Sequence, residues 1–117
     1  MIRVMIVDDY PFMRYGLRAL LDVEADIEVI AECVDGQQAV ELADDLQLDV
    51  VVTDLKMPRL DGADLAAHLL QHRPDVRIVV LTSEPHSELA ARATAAGAHA
   101  VLSKNTDPGV LLAAVRS

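Results

Sequence analysis

Five short apolar runs, each followed by a segment with helical periodicity, divide this chain of 117 residues. The runs occupy residues 2–7, 27–31, 49–53, 76–81 and 100–102. The third and fourth runs do not alternate between apolar and polar residues, so neither has a face suited to contact water. This is typical of strands buried on both sides of a parallel sheet. Between the runs, leucine, valine and alanine recur three or four residues apart, as they do in amphipathic helices. The pattern therefore predicts five strands that alternate with five helices.

The helix boundaries follow from capping and turn residues. We expect helices at 11–23, 37–46, 62–72, 87–96 and from 108 to the end of the chain. Pro11 and Pro108 suit a first helical turn, where a missing N–H costs nothing. Pro74 stops the third helix, and Gly97 is a typical C-terminal residue for the fourth. The residues of the first helix predicted to face the core are Phe12, Leu17, Leu20 and Leu21.

Short connections between alternating strands and helices favour parallel strands with right-handed crossovers. An α/β chain of this length most often forms a flavodoxin-like, doubly wound (βα)5 sheet with strand order 2-1-3-4-5. In that order the first and third strands are neighbours, so Asp8 and Asp9 would meet Asp54. The fourth and fifth strands would bring Thr82 and Lys104 to the same edge. Ligands of open α/β sheets bind at this carboxyl edge.

The residues expected at this edge favour one kind of chemistry. Asp54 alone could equally be a helix or loop cap. Three carboxylates at close range repel one another unless a cation lies among them, and a set of oxygen ligands favours Mg²⁺. Lys104 and Thr82 suit an arriving phosphoryl group. Because no glycine-rich nucleotide loop is present, the economical hypothesis is that one carboxylate becomes an aspartyl phosphate.

Composition narrows the class of protein. The formal charge of −9 argues against nucleic-acid binding by this domain, because phosphates would repel it. The single cysteine, Cys33, is expected to be a buried apolar residue, and this fits a reducing cytoplasm. No apolar run is long enough to cross a bilayer. The chain is therefore predicted to be a cytoplasmic domain that does not contact membranes.

Short motifs follow one another in a fixed order along the chain. They are Val7-Asp8-Asp9, the nine residues from Asp54 to Gly62, Leu81-Thr82-Ser83, Gly97-Ala98 and Ser103-Lys104. Together they resemble the receiver domain of two-component response regulators, over essentially all of residues 1–117. Asp9-Tyr10-Pro11 and Asp35-Gly36 are similar to the NarL-type branch. That likeness implies a C-terminal LuxR-like helix-turn-helix output domain in the full-length protein. This chain would then be an excised receiver domain, and the alternative is a natural stand-alone receiver.

The resemblance also implies a metal site. Asp9 and Asp54 would bind Mg²⁺ directly, Asp8 would act through water, and the main-chain carbonyl of Lys56 would be a further ligand.

The resemblance assigns the phosphoryl chemistry as well. Asp54 would be the phosphoacceptor and a histidine kinase the donor, Thr82 would bind the phosphoryl group and switch, and Lys104 would pair with it. The domain would catalyse only its own phosphorylation and dephosphorylation, and it could form a homodimer through its helices. The alanine-rich fourth helix would either move in response or merely pack closely on the sheet.

Two positions depart from the family pattern. Val101 stands where an aromatic residue is usual, which places the usual form of the switch in question. Asn105 replaces a frequent cis proline, so we expect a trans peptide bond there. One rival interpretation is a receiver-like binding module that acts without phosphorylation. Another is a Mg²⁺-dependent phosphatase. Such an enzyme normally needs a cap or a second acid two residues after the nucleophile, and this chain has Lys56 at that position.

Overall fold

Strands and helices alternate strictly in the computed structural model, which describes residues 1–117. The strands are β1 (Ile2–Val7), β2 (Ile27–Cys33), β3 (Val50–Asp54), β4 (Arg77–Thr82) and β5 (Ala100–Ser103). The helices are α1 (Pro11–Asp22), α2 (Gly36–Ala43), α3 (Gly62–His72), α4 (Glu88–Ala95) and α5 (Pro108–Arg116). The predicted succession of five strands and five helices is confirmed.

All strand pairs are parallel, and the sheet order is β2-β1-β3-β4-β5. The predicted flavodoxin-like fold and strand order are therefore confirmed. Val7 pairs with Thr53, and Thr82 pairs with Ser103. This register brings the carboxyl ends of the central strands, and the residues that follow them, to one edge.

Apolar residues fill both faces of the sheet, since successive strand residues point to opposite sides. On one face, Met5 and Val51 pack with the buried residues of α2, α3 and α4. On the other, Ile6 and Val52 pack with those of α1 and α5. Burying a residue of this size stabilises the fold by about 1.5–3 kcal/mol. The sheet is thus a rigid support for its carboxyl edge.

Two predicted boundaries differ from the structure by more than one residue. β2 continues to Cys33 because that residue still pairs with Val7 of β1, and its carbonyl accepts from the Asp8 N–H at 3.0 Å. α2 ends at Ala43 instead of residue 46, because its last turn tightens: Leu46 N donates to the Ala43 carbonyl, three residues back.

The prediction that Phe12 faces the core was wrong, since Phe12 is 92% exposed. Leu17 and Leu21 of the same helix are buried as predicted. Phe12 precedes Leu17 by five residues, which is about 140° around a helix, so the two side chains point to different sides.

Cys33 is fully buried, as predicted. Burial raises the pKa of its thiol to about 11. None of the helices combines the length and the apolar character that a membrane crossing requires.

Candidate functional site

Three carboxylates meet where β1 and β3 end. Asp8 and Asp9 follow β1, and Asp54 is the last residue of β3. One carboxylate oxygen from each lies within 4.8 Å of the other two. The last four residues of β1 and all of β3 are buried, so the rigid ends of these two strands fix the positions of the carboxylates. The structure thus brings together the three acids that the sequence predicted to meet.

The carboxylate of Asp54 is nearly enclosed, with the residue only 6% exposed. Its Oδ1 accepts a hydrogen bond from the Leu55 N–H at 2.8 Å. The same oxygen lies 3.2 Å from Nζ of Lys104, which follows β5. Its Oδ2 accepts no hydrogen bond from the protein. One oxygen is therefore held in place while the other remains available to a ligand.

Asp8 is the most deeply buried of the three acids, at 1% exposure. Its Oδ1 accepts from the Tyr10 N–H at 2.9 Å, and its Oδ2 lies 3.7 Å from Lys104 Nζ. Burial raises the pKa of Asp8, and the charges of Asp54 and Asp9 add to this effect, although the Tyr10 N–H and Lys104 oppose it. The pocket therefore holds more negative charge than its single cation, Lys104, balances.

Asp9 supplies the test of whether a metal ion fits. Its Oδ1 is buried and has no hydrogen-bond partner. A buried, unpartnered carboxylate oxygen is costly unless a cation or water satisfies it. All three acids offer oxygen atoms, the ligands that Mg²⁺ prefers. The residues present therefore fit a Mg²⁺ ion.

Thr82 ends β4 at the same edge and is 3% exposed. Its main-chain carbonyl accepts from the Lys104 N–H at 2.9 Å, which ties the fourth strand to the lysine. Its hydroxyl oxygen accepts from the Glu84 N–H at 3.0 Å but donates to no protein group. The hydroxyl proton is thus free for an incoming acceptor.

Lys56 lies in the loop after β3, two residues beyond Asp54. Its side chain is 66% exposed and its Nζ lies 3.5 Å from Glu84, so the ammonium group pairs at the surface. Only the main chain of Lys56 remains as a candidate ligand.

Two residues beside the pocket were missed by the sequence analysis. Arg14 donates from Nη1 to the main-chain carbonyl of Asp8 at 2.7 Å and so holds the chain that carries the acids. The ring of Tyr10 lies 5.9 Å from Lys104 Nζ, within range of a cation–π contact. Both residues adjoin the acidic pair. Tyr10 belongs to the Asp9-Tyr10-Pro11 motif, but neither its contact with Lys104 nor that of Arg14 with Asp8 could be inferred from the sequence.

The structure also shows the surroundings of Val101 and the peptide bond before Asn105, the two positions that depart from the family pattern. Val101 is half-buried on β5 and packs at the edge of the core that contains α4. The structure contains no cis peptide bond, so the trans bond predicted before Asn105 is confirmed.

The sequence matches the family model described as the response regulator receiver domain over residues 4–116. The nitrate/nitrite response regulator protein NarP of Escherichia coli (strain K12) is 41% identical over 115 residues, which are 98% of this chain and 54% of that protein. The transcriptional regulatory protein LiaR of Bacillus subtilis (strain 168) is 37% identical over 117 residues, 100% of this chain and 56% of that protein. The chain thus spans about half the length of these curated relatives.

Solved structures give the same result. The response regulator domain of Thermotoga maritima CheB superposes with a TM-score of 0.91 at 29% identity, over 99% of this chain and 94% of that one. The signal receiver domain of the putative response regulator NarL from Mycobacterium tuberculosis has a TM-score of 0.89 at 27% identity, over 99% of this chain and 97% of that one.

Proposed function

Since this chain belongs to the family of response regulator receiver domains, we propose that it accepts a phosphoryl group from a histidine kinase on Asp54. The observation that carries the proposal is the state of that carboxylate. It is nearly enclosed, one of its oxygens contacts Leu55 N–H and Lys104, and the other accepts no hydrogen bond. A fixed carboxylate with one free oxygen is suited to act as a nucleophile.

We assign Oδ2 of Asp54 as the attacking atom. It forms a bond to the phosphorus of the donor phosphohistidine while the phosphorus–nitrogen bond breaks. The bonding electron pair stays on the imidazole, which takes up a proton from solvent. Lys104, held 3.2 Å from Oδ1, offers a fixed positive charge to the phosphoryl oxygens as they arrive. No oxidation or reduction is involved.

Asp9 and Asp54 are the direct Mg²⁺ ligands in this proposal, with Asp8 acting through water and the Lys56 carbonyl as a further ligand. When bound, Mg²⁺ supplies the positive charge that the carboxylates and the phosphoryl oxygens together require. The buried, unpartnered Oδ1 of Asp9 supports this role, since it is an acceptor with nothing from the protein to accept.

The response begins at Thr82, whose free hydroxyl proton can donate to a phosphoryl oxygen. Moving Thr82 pulls on the chain that leads into α4, because the Thr82 hydroxyl also accepts from Glu84 N–H. In α4 the buried residues are Ala90 and Ala93, and the half-buried Leu89 is the only large apolar side chain of the helix that packs on the core. We therefore propose that α4 shifts when Asp54 is phosphorylated.

The domain is proposed to regulate a larger protein. Residues 1–117 form the receiver domain, and a C-terminal helix-turn-helix domain would bind DNA, since LiaR is named a transcriptional regulatory protein and this chain spans 56% of it. The charge of −9 is poorly suited to direct DNA binding by the receiver itself. The proposal includes a cytoplasmic location and a homodimer formed through the helices.

The test is intact mass after incubation with Mg²⁺ and acetyl phosphate, a small phosphoryl donor. We expect one phosphoryl adduct on the native chain and none on Asp54→Asn. Asp75→Asn is the matched control, because Asp75 is exposed and forms no ion pair or side-chain hydrogen bond. It should be modified like the native chain.

Each contrary result is informative. An adduct that persists in Asp54→Asn would contradict the assignment of the phosphoacceptor. An adduct that forms equally well without Mg²⁺ would contradict the role of the metal. If the native chain binds Mg²⁺ but never takes up a phosphoryl group, a binding module that acts without phosphorylation becomes the better account.

A further inference from the structure

Arg59 is the only residue other than glycine with a positive φ, at 70°. It lies in the β3–α3 loop, residues 55–61, which leaves Asp54 and carries Lys56. The Leu60 N–H donates to the Pro58 carbonyl at 2.8 Å, which closes a three-residue turn around Arg59. Turns of this kind with positive φ are rare and strained, and the region favours glycine. A strained arginine beside a functional pocket calls for a reason.

The side chain of Arg59 supplies that reason. Its Nε donates to Oδ2 of Asp35 at 2.7 Å. Asp35 is 4% exposed, and its Oδ1 caps α2 by accepting from the Gln38 N–H at 2.9 Å. These two hydrogen bonds lower the pKa of Asp35. Arg59 therefore reaches across to a buried carboxylate that is itself fixed to the start of a helix.

The main chain of the same loop also lies close to the start of α2. A Cβ added to Gly36, which follows Asp35, would lie 2.7 Å from the Cβ of Leu60. The two ends of the loop are joined by a 2.7 Å hydrogen bond from Gly62 N–H to the Leu55 carbonyl. Lys56 thus lies between these joined ends and the point where the loop contacts the start of α2.

We propose that the Arg59–Asp35 pair, here called the loop latch, positions the β3–α3 loop for Mg²⁺ binding. Arg59 does not touch the metal. It holds the strained turn, and through it the main-chain carbonyl of Lys56, in the place where that carbonyl can act as a ligand. The latch rests on the proposed function, because it assumes the Mg²⁺ site of Asp9, Asp54 and Lys56.

Arg59→Gly is the decisive variant. Glycine tolerates the positive φ, so the turn loses its strain while the latch is lost. Residues that orient a metal ligand typically change metal affinity by about tenfold or more, so we expect Mg²⁺ to bind about tenfold more weakly. Coulomb effects alone predict the opposite sign, because removing a positive charge near an acidic site should strengthen cation binding. The direction of the change therefore separates the two causes.

A second variant approaches the latch from its other side. Asp35→Asn keeps a side-chain oxygen that can cap α2 but removes the charge that holds Arg59. It should weaken Mg²⁺ binding as well. The double variant should bind Mg²⁺ no more weakly than the single variant with the lower Mg²⁺ affinity, because both substitutions break the same contact. Arg92→Ala is the matched control: it removes an exposed arginine whose partner, Asp64, lies on α3, and its Mg²⁺ affinity should not fall.

Mg²⁺ binding is measured by isothermal titration calorimetry, and acetyl phosphate labelling at saturating Mg²⁺ is recorded in parallel. We expect the dissociation constant to rise in the latch variants while labelling at saturation stays near the native rate. Native affinity in Arg59→Gly would overturn the latch and leave the proposed function intact. Absence of Mg²⁺ binding by the native chain would overturn both.

Discussion

Gly62 determines where Asp54 can stand, because the two main chains are in contact. A Cβ added to Gly62 would lie 2.6 Å from the Asp54 carbonyl oxygen and 3.0 Å from the Leu55 Cα. Both neighbours are buried main-chain atoms at the end of a central strand, so neither can give way easily. The glycine of the Asp-Gly pair is thus needed for close approach as well as for starting α3.

We predict that Gly62→Ala lowers the free energy of unfolding by about 2–3 kcal/mol, as overpacking of a rigid core does. Gly16→Ala is the matched control. Gly16 lies inside α1 with no atom within 4 Å of an added Cβ, so alanine should stabilise the protein by about 0.5–1 kcal/mol. Urea unfolding followed by circular dichroism measures both. Equal effects of the two substitutions would refute the close-contact argument.

Residues of the pocket differ in how far the sequence predicts them. Asp54 and Thr82 could be placed because each ends an apolar run, and parallel strands bring such ends together. Arg14 and Arg59 could not. Their long side chains bind groups that the fold brings near, and Arg59 reaches a partner 24 residues away. The positive φ of Arg59 also leaves no trace in the sequence, since arginine is not a residue that favours it.

Among the elements, α5 is tied to the α1–β2 connection by a surface cluster. Arg116 forms a two-point contact with Asp26, both N···O distances being 2.8 Å, and lies 2.7 Å from Glu24. The hydrogen bonds from Arg116 lower the pKa of Asp26 to about 2. The last helix is therefore held by charges as well as by its buried Leu111 and Val115.

The lowered pKa of Asp26 makes this contact dependent on pH. A carboxylate whose pKa is lower in the folded state stabilises the fold above its ordinary value of 3.8 and loses that effect as pH falls towards about 2. We predict that Asp26→Asn lowers the melting temperature at pH 6, and that the difference shrinks between about pH 4 and pH 2. Because Asp26 is exposed, salt should also reduce the difference.

Thermal unfolding of both chains across this pH range, with Asp75→Asn as control, measures the effect. A difference between native chain and Asp26→Asn that is the same at pH 2 and pH 6 would exclude the ion pair as its cause.

Element positions were predicted better than element faces. Strand order followed from the alternation of runs and helices, whereas the exposed Phe12 of α1 was assigned to the core. Hydrophobicity alone suggested that assignment, but the helical angle between Phe12 and the buried Leu17 opposes it. The early end of α2 depends on a tightened last turn that residue propensities do not reveal.

At the scale of the whole molecule, stability and the acidic pocket oppose each other. The chain carries a net charge of −9, and three of its carboxylates lie within 4.8 Å of one another at the end of an otherwise apolar sheet. Asp8 and Asp54 are both buried there. Two apolar layers stabilise the strands that carry the acids and so offset the destabilisation caused by the buried carboxylates. A cation that binds only the folded chain should remove part of this destabilisation.

We therefore predict that Mg²⁺ raises the melting temperature. At a concentration ten times the dissociation constant, a single site contributes about 1.4 kcal/mol, which corresponds to about 5 °C for a chain of this size.

General screening of a chain with net charge −9 also stabilises it, so sodium chloride at equal ionic strength is the control. Asp9→Asn should lose the Mg²⁺ response. Asp8→Asn should melt higher than the native chain without Mg²⁺, because it removes a buried charge from a repulsive cluster. If sodium chloride reproduces the whole shift, or if Asp9→Asn responds to Mg²⁺ as the native chain does, the carboxylates do not form a specific metal site.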